Sequence, residues 1–170
     1  MSEPLASVEV RVSQIAAAWG IELGEPLGHG IDGNVWRTSR QSALKVFARR
    51  DTYERERDCY RRLFENNVKQ LAGLHVPELL DYSNSLCGIE ITIVKPPCIL
   101  DFGKAYADSP PDYTAEALAE AEQAERELFT DDQWRQVRLV RAALLRFGIH
   151  YFDARPSNIM FPKERGASEW

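Results

Sequence analysis

Cysteine and histidine are scarce in this chain, three of each in 170 residues. Cys59, Cys87 and Cys98 are odd in number and widely spaced, and His29, His75 and His150 are scattered. Neither a disulfide framework nor a zinc site is indicated, and buried free thiols are expected. A basic excess is also lacking. Lys and Arg number 21 against 26 Asp and Glu, a formal net charge of -5, which argues against a nucleic-acid surface. No apolar run is long enough to cross a membrane, and the amino terminus has no charged segment leading into a hydrophobic core and cleavage site. A cytoplasmic protein with neither nucleic acid nor membrane as partner is expected. Internal repeats and low-complexity tails are missing too, and the length suits one domain with a substantial core.

What is present centres on GHGIDGNV, Gly28 to Val35, which fits the pattern GxGxxGxV, followed twelve residues after Gly33 by Lys45 in the run SALKVF. Glycines at that spacing let a backbone turn lie flat against phosphate oxygens, where a side chain would hold the ligand away. Such a loop opens a helix in a dinucleotide-binding fold and tips a hairpin in a kinase fold. Val35, Trp36 and Thr38 are strand formers, Ser39 to Ser42 is a polar turn, and Ala43 to Phe47 reads as another strand, so the hairpin is favoured. Alternation places Lys45 on the face of Ala43 and Phe47, with Leu44 and Val46 opposite. An ammonium on a largely apolar face needs a partner. On these residues alone, a plain glycine-rich hairpin and a nucleotide loop both stay open.

Further along, Val8, Val12, Ile15, Ala16 and Trp19 recur at helical spacing from Ser7 to Trp19, with Gly20 as the stop. Asp51 or Thr52 is the expected cap of a long helix to about Leu71, closed by Gly73, with Tyr53, Tyr60, Leu63, Phe64 and Leu71 on its apolar stripe. Glu56 points with that stripe, and its expected partner is Lys45; a bond to a neighbouring arginine is the alternative. The arginines from Arg49 to Arg62 are interleaved with acids and read as a solvated face. Val76-Pro77 starts an extended stretch, Ile89, Ile91 and Ile93 alternate as a strand, and Pro96-Pro97 breaks it, as a linker between two lobes would. Helices are expected from Tyr113 to Phe129, with Ala117, Ala121, Ala124 and Leu128 on one face, and from Thr130 or Asp131 to Gly148, with the stripe Trp134, Val137, Val140, Leu144 and Phe147.

After Gly148 comes IHYFDARPSNIMF. Asp153, Arg155, Pro156 and Asn158, followed by Ile159, Met160 and Phe161, resemble the catalytic loop of the protein-kinase superfamily, HRDxKPxN plus an apolar strand. Glycine loop, strand lysine, helix glutamate, proline-broken linker and catalytic-type loop follow in order over nearly the whole chain. The REx3YxxL helix from Arg55 and the VPELL run look most like short, divergent bacterial kinase-like proteins and aminoglycoside-phosphotransferase relatives.

The resemblance implies an α+β, two-lobe fold: residues 1–95 as a small antiparallel sheet lobe with one long helix, and 96–170 as a reduced helical lobe. It implies ATP and magnesium (Mg2+) as ligands. Gly28, Gly30 and Gly33 would cover the ATP phosphates, with Val35 and Ala43 beside the nucleotide and Lys45, held by Glu56, contacting the phosphates. Asp153 would orient the attacking hydroxyl, Asn158 would hold magnesium, and Arg155 stands where eukaryotic kinases have lysine. Tyr151 and Phe152 replace the histidine and arginine before the aspartate. The sequence ends twelve residues after Asn158, about where the family's metal-binding aspartate begins. The expectation is therefore that this carboxylate, the activation segment and later helices are lacking, and that a partner protein or a second copy covers the short lobe. Asp101-Phe102-Gly103 spells the family's metal motif but precedes the catalytic loop, so coincidence is expected; Glu169 is expected to be an exposed terminal acid. Two functions follow: phosphoryl transfer from ATP to a small-molecule or protein hydroxyl, and a pseudokinase that uses the cleft as an interaction module.

Overall fold

The computed structural model describes residues 5–162, so Glu169 lies outside the described residues. α1 (Val8–Trp19) is capped by the Ser7 side chain and stops at Gly20, whose φ of 63° suits the residue without a β-carbon. Three antiparallel strands follow: β1 (Leu23–Gly30), β2 (Gly33–Thr38) and β3 (Ser42–Phe47). The expected alternation in β3 divides the core. Leu44 and Val46 pack with Val12 and Ile15 of α1, while Ala43 and Phe47 join the larger cluster on the other face. Arg11, 2% exposed, pins α1 by donating to the carbonyls of Leu86 and Phe47 at 2.8 and 2.7 Å.

α2 (Arg50–Glu65) is shorter than its sequence pattern suggests. Arg49 is the N-cap, without a side-chain capping bond, in place of Asp51 or Thr52. At the other end the Asn66 amide donates back to the Arg62 carbonyl and Asn67 takes a φ of 54°. Asparagine tolerates that conformation and competes for helix carbonyls, so the helix ends there. Leu71 still reaches the core, but from a small hairpin of β4 (Gln70–Leu71) and β5 (Leu74–His75), while Phe64 is exposed. β6 (Leu79–Ser83) and β7 (Gly88–Thr92) complete a five-stranded antiparallel sheet in the order β1-β2-β3-β7-β6.

Beyond the Pro96-Pro97 break come β8 (Cys98–Ile99), the Asp101-Phe102-Gly103 segment, β9 (Ala105–Ala107), α3 (Ala115–Arg126), α4 (Asp131–Leu145), β10 (Ile149–Tyr151) and β11 (Ile159–Met160). α4 starts with a capping box between Thr130 and Gln133 and buries Trp134, Val137, Val140 and Leu144, as its periodicity requires. α3 departs from expectation. It runs three residues shorter at its C-terminal end than Phe129, and none of its residues is buried. An alanine face offers little apolar area, so burial of this helix yields little. The fold is thus α+β, a sheet lobe with a long helix joined to a lobe of two helices and short strand pairs. β9 pairs with β10, and β8 with β11, both antiparallel. These two pairings join residues about 45 to 60 positions apart in the chain and shape the site. Cys59, Cys87 and Cys98 are free and buried.

Candidate functional site

A cavity of about 430 Å³ lies between the β1–β2 hairpin and the segments around Asp101 and Asn158. Gly28, Gly30, Gly33, Val35, Ala43 and Lys45 all line it. The glycines serve different ends. A β-carbon on Gly33, at φ 152°, would press into the Val46 carbonyl and stand 2.9 Å from the Phe47 α-carbon, so β3 itself demands glycine there. Nothing lies within 4 Å of a β-carbon on Gly28. The protein's own packing therefore does not demand glycine at this lining position.

Lys45 sits in the middle of β3, opposite Val35 and Ile89 on the neighbouring strands. Its ammonium donates to both oxygens of Glu56, at 2.9 and 2.7 Å, and to Asp101 Oδ2 at 3.0 Å. The Lys45 and Glu56 side chains are 8% and 0% exposed, that of Asp101 32%. Burial works to lower the Lys45 pKa, but Glu56 and Asp101 outweigh it and hold it above the usual lysine value. Burial pushes the Glu56 carboxyl up to about 7 against the pull of Lys45, with Asp101 adding like charge. One ammonium therefore serves two carboxylates.

Asp101 is the residue that sequence reasoning set aside. Its DFG-like run was expected to be coincidental because it precedes the catalytic loop; the direct bond to Lys45 overturns that. Phe102 is fully buried, with edge-to-face contacts to Tyr60 of α2 at 5.0 Å and Tyr151 of β10 at 6.0 Å between ring centres. The column ties α2, the Asp101 segment and the catalytic-type loop together. The motif's letters were in plain view; what could not be read was that β8 and β9 deliver them beside β11 and β10.

Asn158 lines the same cavity as Lys45 and Asp101, and its carbonyl accepts from the Leu100 amide at 2.7 Å. Its side-chain amide donates to the Asp153 carbonyl at 3.0 Å and to Asp153 Oδ2 at 2.7 Å. Asp153 and Arg155 are not among the cavity's lining; they are reached through this bond. Asp153 Oδ1 lies 2.6 Å from Arg155 Nε and 3.9 Å from Lys104 Nζ. The loop backbone is held from several sides: Tyr151 donates its hydroxyl to the Asp153 carbonyl, the Phe152 amide donates to the Lys104 carbonyl, and the Ala154 amide donates to Glu125 Oε1 of α3 at 3.0 Å. Glu125 also pairs with Arg141 of α4. Lys104 and Glu125 carried no signal in the sequence.

Among the described residues no three His, Cys, Asp or Glu side chains converge as a metal cluster. Asp101 and Asn158 do offer a carboxylate and an amide oxygen: Asp101 Oδ1 accepts from the Gly103 amide and Oδ2 from Lys45, the Asn158 amide oxygen accepts from the Ser157 hydroxyl at 3.3 Å, and each oxygen keeps a further lone pair for a cation. That donor set fits magnesium, which takes one or two protein oxygens and completes its shell with water and phosphate.

No protein-family model matches the sequence. No curated protein matches it either. Among solved structures, the chain is similar to the aminoglycoside phosphotransferase APH(2'')-Ib with ADP bound, at 21% identity and a TM-score of 0.40, over 70% of this chain and 38% of that one. It is also similar to APH(2")-IIa in a ternary complex with streptomycin and ATP, at 18% identity and a TM-score of 0.39, over 75% and 36%. The chain spans well under half the length of either structure.

Proposed function

We propose that the cleft binds ATP with magnesium and transfers the terminal phosphoryl group to a hydroxyl. The observation that carries this reading is the Lys45 ammonium, bonded to Glu56 and Asp101 beneath a glycine loop, in one cavity with Asn158. In this reading the buried ammonium, held by two carboxylates at the edge of the cavity, contacts phosphate. Glu56 fixes its position, and Gly28 and Gly30 leave the loop backbone free to approach phosphate oxygens. Asp101 and Asn158 would hold magnesium, which supplies charge neutralisation at the phosphates.

Asp153, set by Asn158 and Arg155, accepts the hydroxyl proton, and Arg155 and Lys104 offer positive charge beside it. Such chemistry depends on positioning and electrostatics more than on covalent participation. The interaction-module reading drew its weight from a metal carboxylate that the chain order did not supply. Asp101 offers one, which favours catalysis.

The test is thermal. ATP with magnesium should raise the melting temperature, since a ligand that binds only the folded state stabilises it. Lys45→Ala should abolish the shift, Asp101→Asn should remove its magnesium dependence, and Asp153→Asn should retain the shift while turnover falls. No shift at millimolar ATP would discard the reading.

A further inference from the structure

We infer that Asp32, at the tip of the glycine loop, makes the cleft select metal-loaded over metal-free nucleotide. This rests on the phosphotransferase reading and adds a specificity-determining residue to it. Asp32 fills a variable position of the GxGxxGxV pattern, so the pattern assigns it no role. The hairpin fixes where it stands: Gly30 and Gly33 pair across the tip, and the Asp32 carbonyl accepts from the Ala48 amide at 3.0 Å. Its side chain reaches across to the Asp101 segment. A β-carbon on Gly103 would stand 3.7 Å from Asp32 Oδ2 and 2.9 Å from Asp101 Oδ1, so the two carboxylates flank one gap.

The charges of the cavity give that placement its consequence. Among the described residues that line it, Lys45 is the one lysine or arginine, set against Asp32 and Asp101. The Lys45 ammonium is already bound by Glu56 and Asp101. Asp32 therefore adds an anion that this lysine does not balance. Its field reaches the buried triad: burial is the chief cause of the raised Glu56 carboxyl, and Asp32 pushes it in the same sense as Asp101.

ATP brings about four negative charges to such a site, and magnesium masks about two of them. The loop that approaches the phosphates thus carries a like charge with it, and the repulsion is roughly halved once the metal is bound. Asp32 discriminates by penalising the bare nucleotide, a repulsive element that no attractive contact has to match.

The experiment uses the full chain and follows melting temperature against ATP concentration, once with excess magnesium and once with EDTA, to obtain the two apparent dissociation constants. Asp32→Asn should lower the ratio of the metal-free constant to the metal-loaded one about 5-fold at low ionic strength, and Asp32→Lys should lower it further. Asp32 is exposed, so at about 1 M KCl, where the screening length is about 3 Å, parent and variants should converge. Glu54→Gln, the same charge change at an exposed position of α2 outside the cavity, should keep the parent ratio. A ratio that stays at the parent value in both Asp32 variants, or differences that persist in high salt, overturns the inference. Weakened binding of the magnesium-loaded form with the metal-free constant unmoved overturns it too, and makes Asp32 a cation ligand instead. Absence of any shift with magnesium in the parent protein strikes the phosphotransferase reading on which this one stands.

Discussion

At Gly33 a β-carbon would stand 2.9 Å from the Phe47 α-carbon, whereas at Gly28 it would meet nothing within 4 Å. Gly33→Ala is therefore expected to destabilise the fold by about 1–3 kcal/mol, the cost of strain at a forbidden backbone conformation plus a shift of β3. Gly28→Ala should leave urea stability within about 0.5 kcal/mol yet weaken ATP binding. Denaturant melts alongside nucleotide titration separate the two. The Lys45 triad has its own signature. Glu56 is raised from 4.5 to about 7 in the folded protein, so between those pH values the native state holds a proton that the unfolded chain has released. The stability this provides is full below pH 4.5 and is lost as pH rises through 7. Glu56→Gln should flatten that part of the pH–stability curve, read from melts between pH 4.5 and 8. Lys45, Glu56 and their shared face were readable because strand and helix periods aim them inward. Asp32, at the tip of the glycine loop, was not: its carboxylate lies 3.7 Å from where a β-carbon would stand on Gly103.

The two helices of the second lobe show how far periodicity alone carries at the level of elements. α4 has a capping box and large apolar residues at the right spacing, and the structure follows it from Thr130 through Leu144; the helix ends at Leu145 with Arg146 as its C-cap, short of the expected Gly148, so Phe147 lies outside it. α3 is as periodic, but its repeated residue is alanine, and none of it is buried. Leu144→Ala, in a fully buried site of α4, should cost about 2–5 kcal/mol by removing methyl groups from a filled core. Leu128→Ala, just beyond α3 and 52% exposed, should cost about 0.5 kcal/mol or less. Equilibrium urea unfolding of the two variants checks the contrast. α2 is the opposite case. Its stripe continued through Leu71, but Asn66 and Asn67 ended the helix first, and local backbone chemistry overrode hydrophobic spacing.

Across the whole molecule, the loop bearing Asp153 is assembled from parts that are distant in the chain. β9 and β8 flank it by pairing with β10 and β11, the Phe102 column joins it to α2, and Glu125 of α3 holds the Ala154 amide. Glu125 bonds to the Ala154 amide and to Arg141, neither of which lines the cavity that holds Lys45, so its proposed role is positioning. Glu125→Ala should lower turnover about 100-fold through a loop out of register, an effect of the size expected for small misplacement. The ATP-induced melting shift should persist, and Glu125→Gln, which keeps an acceptor for the Ala154 amide, should recover much of the rate. Steady-state kinetics with a parallel melting assay distinguishes this from a general loss of folding.

Local patterning by itself determined the α1, β3, β7 and α4 segments, the glycine hairpin and the inward aim of Lys45 and Glu56, because each depends on the period of a side-chain row and on caps within a few residues. The catalytic-type loop was legible as a motif for the same reason. Tertiary structure alone decided that Asp101 belongs beside Lys45 and that Glu125 anchors the loop, because those placements come from strand pairings and helix contacts between segments far apart in sequence. A motif out of its usual order looks accidental along the chain; a short pair of strands is enough to return its carboxylate to the cleft.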